Sequence, residues 1–214
     1  MDTDRLKIWE RLFQHAIELI ESVPAPGLSN QSWSFGGGTV LMRRHRHRFS
    51  KDIDIFLDDP QHLGHLAPRL NDTAEQLTHN YDEGREFLKL YLDEGEIDFI
   101  VAGALTLKPT EMEQLFGRDV RVETSTEIIA KKVWYRGAEF TARDIFDLAM
   151  VTEREPSALK SIKPILLERS EVILGRIEQH QDMLRETFGA LDVLDYERSF
   201  EESVEIVRTV LRDS

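Results

Sequence analysis

The chain has 214 residues, 41% of them hydrophobic, a formal net charge of −13 and no cysteine. That length supports one or two modest domains with packed cores. The lack of cysteine excludes disulfides and thiolate-bound metals, and the acidity argues against a protein that coats nucleic acid generally.

The opening stretch, MDTDRLKIWERLF, is charged throughout, and no run approaches the roughly 18 apolar residues of a membrane span. A soluble, cytoplasmic protein without membrane association is expected. Apolar residues from Leu6 to Val23 recur at helical spacing and predict a helix with one broad apolar face, ended by Pro24–Gly27. Trp33–Phe35 predicts a short strand. Gly36-Gly37-Gly38 then allows a tight turn, and Thr39–Met42 can open a helix whose N-terminal N–H groups suit a phosphate. The basic run Arg43–Arg48 holds four of the chain's 27 Lys and Arg residues. Ile53, Ile55 and Leu57 alternate with Asp52, Asp54 and Asp58, the pattern of a strand with one aliphatic face.

A helix is expected from Pro60 to about Glu75. Strands Leu77–Tyr81 and Glu86–Leu92, joined by a turn at Asp82–Arg85, follow. A third strand, Glu96–Val101, carries Glu96 and Asp98 on one face, and Asp119–Glu123 suggests an edge strand. From Thr124 the pattern becomes helical. Ser125 or Thr126 caps a helix to about Tyr135, and another runs from Thr141 to about Thr152. Glu168–Phe188 and Tyr196–Leu211 complete the helical part. Apolar residues such as Leu166, Ile173, Ile177 and Leu184 belong to its core. The expected domains are 1–115, a sheet-containing core, and 116–214, mainly helical and completing the active site.

Asp52 and Asp54 project from one strand face about 7 Å apart. A third carboxylate from a neighbouring strand, Asp98 or Glu96, would make a hard-oxygen set of the kind that binds Mg²⁺ together with phosphate oxygens and water. Such sets serve transfer of a nucleotidyl group from a nucleoside triphosphate to a hydroxyl, with two divalent ions. Asp98 is the preferred third ligand. His45 and His47 have no companion ligands that would suggest zinc.

Gly37-Gly38-Thr39, then Arg48-Phe49-Ser50-Lys51-Asp52-Ile53-Asp54, resembles the signature of DNA polymerase beta-like nucleotidyltransferases. Glu127–Lys132, Arg136-Gly137 and Arg143-Asp144-Ile145-Phe146-Asp147 are similar to the lysine and Arg-Asp-x-x-Asp motifs of the AbiEii/AbiGii toxins of type IV toxin–antitoxin systems. The resemblance covers about residues 33–150. It implies an α+β fold, a nucleotidyltransferase-type mixed sheet flanked by helices and followed by a C-terminal helical bundle. It implies that Gly37, Gly38, Thr39, Arg48 and Ser50 hold the NTP, and that Asp52 and Asp54 bind metal. It implies that a lysine contacts phosphate or substrate, Lys132 preferred by its spacing of 12 residues before Asp144 although the sequence alone does not choose between it and Lys131, and that Asp144 completes the site. The implied acceptor is a tRNA 3′ end or other RNA, with toxicity as the outcome and a cognate antitoxin as partner. Two rivals share the first motif: a small-molecule, antibiotic-type nucleotidyltransferase and a catalytically silent nucleotide- or partner-binding module.

Overall fold

The computed structural model describes residues 4–23, 28, 29 and 31–212. The chain forms two compact units, one of residues 1–40, 50–103 and 110–123, the other of 41–49, 104–109 and 124–214. The first is built on a sheet and the second on helices. The expected Pro24–Gly27 break lies outside the described residues.

In the sheet unit, helix α1 (Ile8–Ser22) buries Leu12, Phe13, Ala16 and Leu19 on its apolar face. Strand β1 (Trp33–Gly36) leads straight into helix α2 (Gly37–His45), whose second half belongs to the other unit. Strand β2 (Ile53–Leu57) buries Ile53, Ile55 and Leu57 completely, as the alternation requires. The single helix expected from Pro60 to Glu75 is instead a 3-10 turn (Pro60–His62), a one-turn helix α3 (Leu63–Leu66) and α4 (Asp72–Leu77). Pro68 explains the break. It disfavours helical backbone at the residue before it, and Ala67 is extended with ψ 141°. Asn71 then caps α4, accepting from the Ala74 N–H at 3.1 Å.

Strands β3 (Tyr81–Glu83), β4 (Phe87–Leu92) and β5 (Gly95–Val101) form a meander. Leu77 closes α4 and does not start a strand, so the hairpin turn falls later than the sequence suggested. Strand β6 (Thr110–Leu115), polar and without alternating aliphatics, escaped the sequence reading. It pairs with β7 (Arg118–Glu123). The seven strands run in the order β3-β4-β5-β2-β1-β7-β6. β7 is therefore an interior strand, and β6 takes the edge. β2 is parallel to β5, and β1 to β7; the remaining pairs are antiparallel. Phe13 and Phe35 meet at 4.8 Å between ring centroids, with Trp9 and Phe116 against them.

The helical unit contains α5 (Ser125–Arg136), α6 (Ala142–Arg154), α7 (Lys163–Gln179), α8 (Gln181–Gly189) and α9 (Phe200–Arg212). Thr124 caps α5 through the Glu127 N–H, one residue before the expected cap. The segment expected as one helix over Glu168–Phe188 is interrupted at His180. Phe146 centres the core, 5.4 Å from Phe188 and 5.2 Å from Tyr196. Glu127, fully buried, anchors the 104–109 segment by accepting from the N–H groups of Leu105 and Thr106, both at 2.9 Å. No helix among the described residues is long and apolar enough to cross a membrane.

Candidate active site

In the sheet unit, parallel pairing places Asp54 of β2 directly opposite Asp98 of β5. The start of α2 presses against Asp54. A Cβ on Gly37 would lie 1.8 Å from Asp54 Oδ2, and Gly37 has φ +75°, which L side chains rarely adopt. Only glycine fits here, for reasons of both space and backbone. Helix α2 thus brings its positive N-terminal end to a carboxylate, where anionic groups are favoured. Thr39 fixes the approach, donating its hydroxyl to the Asp52 carbonyl at 2.6 Å and contacting Ser50 Oγ at 3.1 Å.

The three acidic positions differ in their partners. Asp52 Oδ1 accepts from the Glu96 N–H at 3.1 Å, which ties the start of β2 to β5. Lys89 lies 2.8 Å from Glu96 and 3.1 Å from Asp98. Burial, and then the neighbouring Asp54 carboxylate, push the Asp98 carboxyl up to about 7 against the pull of Lys89. Asp98 Oδ1 is buried without a hydrogen-bond partner among the described residues. A like-charged pair with an orphaned oxygen is a site that a cation would relieve. Among the described residues, no three His, Asp or Glu side chains form a group able to hold a metal ion by themselves. Asp98 lies opposite Asp54 on β2, and Glu96, two residues earlier on β5, meets Asp52 through its backbone N–H.

The remaining motif residues lie in the helical unit. Asp144 is buried, accepting from Lys132 Nζ at 2.6 Å and Arg136 at 3.2 Å. Its other oxygen closes a capping box with Thr141 at the start of α6. Asp147 is also fully buried, bound by Arg48 through Nε at 2.7 Å and Nη2 at 2.8 Å, by His47 at 2.8 Å, and by Lys132 at 3.2 Å. Burial raises both carboxyls, but Lys132 and Arg136 hold Asp144 below its ordinary range. Arg48, Lys132 and His47 hold Asp147 well below it.

The basic run after α2 is thus tied to partners within the helical unit. Arg46 pairs with Asp195 at 2.7 Å and His45 with Glu155 at 2.6 Å. Residues 46–49 bond to the 192–195 backbone. The Arg-Asp-x-x-Asp motif contains Asp147, but sequence reasoning did not foresee that Arg48 and His47 bind it. A contact spanning 99 residues leaves no local spacing to read. Lys131 and Lys132 are both buried, but Lys132 alone reaches Asp144, whereas Lys131 lies 3.9 Å from Glu127.

A putative nucleotidyltransferase from Helicobacter pylori has a similar fold, with a TM-score of 0.54 at 14% identity, covering 99% of this chain and 95% of that one. The MenT4 nucleotidyltransferase toxin of Mycobacterium tuberculosis aligns with a TM-score of 0.57 at 16% identity, over 98% of this chain and 85% of its own. No curated protein matches the chain in sequence. The family model for the nucleotidyl transferase AbiEii toxin of type IV toxin–antitoxin systems matches residues 25–208. With a glycine turn abutting Asp54 and that match covering most of its length, the chain belongs to the AbiEii nucleotidyltransferase toxin family.

Proposed function

We propose that the protein transfers a nucleoside monophosphate from an NTP to a hydroxyl of an RNA acceptor, such as a tRNA 3′ end. It would act in the cytoplasm as the toxin countered by a cognate antitoxin. The acceptor oxygen attacks the α-phosphorus, the bond to the bridging oxygen breaks, pyrophosphate leaves and the hydroxyl proton is released. The observation that carries this reading is the contact of Gly37 with Asp54 opposite Asp98. It joins a phosphate-binding helix start to a cation-demanding carboxylate pair.

Asp52, Asp54 and Asp98 would hold Mg²⁺. Their incomplete enclosure suits an ion that keeps waters and phosphate oxygens among its ligands. When bound, the metal supplies charge neutralisation of the phosphates and an acidified hydroxyl. The N–H groups of Gly37, Gly38 and Thr39 would cradle the triphosphate, with Ser50 beside Thr39. In the helical unit Lys132 would act as the phosphate cation and Asp144 as its fixed partner, with Arg48 held in the same network through Asp147. A lysine anchored between two buried carboxylates is preorganised and loses little freedom on engaging substrate.

The test is incubation with labelled NTPs, Mg²⁺ and total RNA. Label is expected in tRNA and is expected to vanish in Asp54→Ala with unchanged circular dichroism. Label confined to small hydroxyl compounds, or wild-type transfer by Asp54→Ala, would overturn the reading.

A further inference from the structure

The helical unit contains a cleft of about 440 Å³ whose chemistry differs from the rest of the chain. Arg136 from the end of α5, Arg143 from the first turn of α6 and Arg176 from α7 all line it. No aspartate or glutamate among the described residues does, in a chain where acidic residues outnumber Lys and Arg by 40 to 27. Arg176 Nε is buried without a hydrogen-bond partner among the described residues. Thr141 and Ala142, the cap and first residue of α6, also line the cleft, with Asp144 closing the capping box at that helix end.

The lining contributed by α8 and the residues after it is mostly apolar: Met183, Leu184, Ala190 and Leu191, with Thr187, and Met183 is 43% exposed. Forked cations together with apolar side chains in one cleft match a ligand that carries an anionic group and a flat ring. The volume falls within the range of about 300–1,000 Å³ usual for small-ligand sites.

We propose that this cleft binds a nucleotide unit, its phosphate between Arg143 and Arg176 and its base against Met183. A strand of RNA and a free mononucleotide present the same chemistry. The site goes beyond the triphosphate site proposed above, and no Gly37–Asp54 residue lines it.

Binding of the full chain to a labelled single-stranded RNA oligonucleotide and to AMP, followed by anisotropy and calorimetry, tests this. NTP and metal are omitted so that transfer plays no part. Arg143→Gln with Arg176→Gln is expected to weaken at least one probe about tenfold, and for RNA to lower the salt slope by about one for each phosphate that an arginine no longer neutralises. Weakening for RNA alone assigns the cleft to a strand; weakening for AMP assigns it to a free nucleotide. Arg143→Gln alone and Met183→Glu, both at exposed positions, carry the test where the double variant does not fold. Wild type that binds neither probe, or unchanged affinities in all the folded variants, would overturn the proposal. Loss of transfer in Asp54→Ala with this binding intact separates it from the transferase reading.

Discussion

At residue scale, Gly37 is the most constrained position of the site. Alanine there would place its methyl carbon 1.8 Å from Asp54 Oδ2. It would also take a backbone conformation that costs an L residue about 1–2 kcal/mol. Gly37→Ala is expected to reduce transfer at least about a hundredfold, since a misplacement of about 1 Å at a reacting centre costs that much. It should leave far-UV circular dichroism unchanged; wild-type rates would refute the contact's importance. His47 yields a pH prediction. Burial lowers its pKa below 6.5, outweighing Asp147, while Arg48 and His45 add to the lowering. Its Nδ1 has no hydrogen-bond partner among the described residues, so a proton there would be buried and unpaired. The unfolded chain, with histidine near 6.5, then binds the proton better than the folded one. Stability is therefore full above about 6.5 and falls as pH drops below it toward the folded value. His45 shifts in the same direction. Asp98, raised to about 7, acts in the opposite sense, so the His47 contribution is read as a difference: relative to His47→Gln, the melting temperature of the wild type is expected to fall between about pH 7 and 5.5; a constant difference would exclude His47 as the group. The glycines, Asp52 and Asp54 were legible because close approach and period-2 alternation leave local traces. The pairing of Asp98 with Asp54 across β2 was not, because strand register is a long-range property.

At the scale of elements, the long-range pairs decide what local pattern leaves open. Helix α6 is positioned by its capping box, in which Thr141 and Asp144 exchange bonds while Asp144 also receives Lys132. Thr141→Ala removes the cap and one partner of a buried carboxylate. A cost of about 1–2 kcal/mol is expected in urea denaturation, with Thr141→Ser restoring most of it. A loss below a few tenths of a kcal/mol would show the box to be incidental. Asp147 is a harsher case, since four donor contacts from Arg48, His47 and Lys132 converge on it. Asp147→Ala leaves buried Arg48 without its anion and removes an acceptor from Lys132 and His47, at an expected cost of about 3–5 kcal/mol. A variant within 1 kcal/mol of wild type, a threshold set at about the usual scatter of point variants, would contradict the network. Elements with strong alternation or helical apolar faces, such as β2, β5 and α1, were legible in the sequence. The break at Pro68 was present as a signal and overridden by the expectation of one continuous helix. Strand β6 was not legible, because Thr110–Leu115 lies at a sheet edge and buries only Leu115.

At the scale of the whole molecule, the chain crosses between its two units more than once. Residues 41–49 and 104–109 belong to the helical unit although the sheet unit encloses them in sequence. A chain ending at Glu123 would retain all seven strands. It would nonetheless lose Asp147, the acceptor for the buried Arg48 and His47, and Glu127, the acceptor for the N–H groups of Leu105 and Thr106. Residues 41–49 and 104–109 would lose both these partners and the apolar burial that the helical unit gives them, a loss of several kcal/mol against the whole stability of about 5–15 kcal/mol of a typical domain. The 1–123 chain is therefore expected to lack a cooperative transition in urea. The full chain should unfold in one step, with Trp9 and Trp33 of the sheet unit reporting the same midpoint as Trp134 of the helical unit. Tryptophan-to-phenylalanine variants that leave one reporter at a time make the comparison. A sigmoidal transition in 1–123, or midpoints that separate, would mean that the units are energetically independent despite the shared chain path.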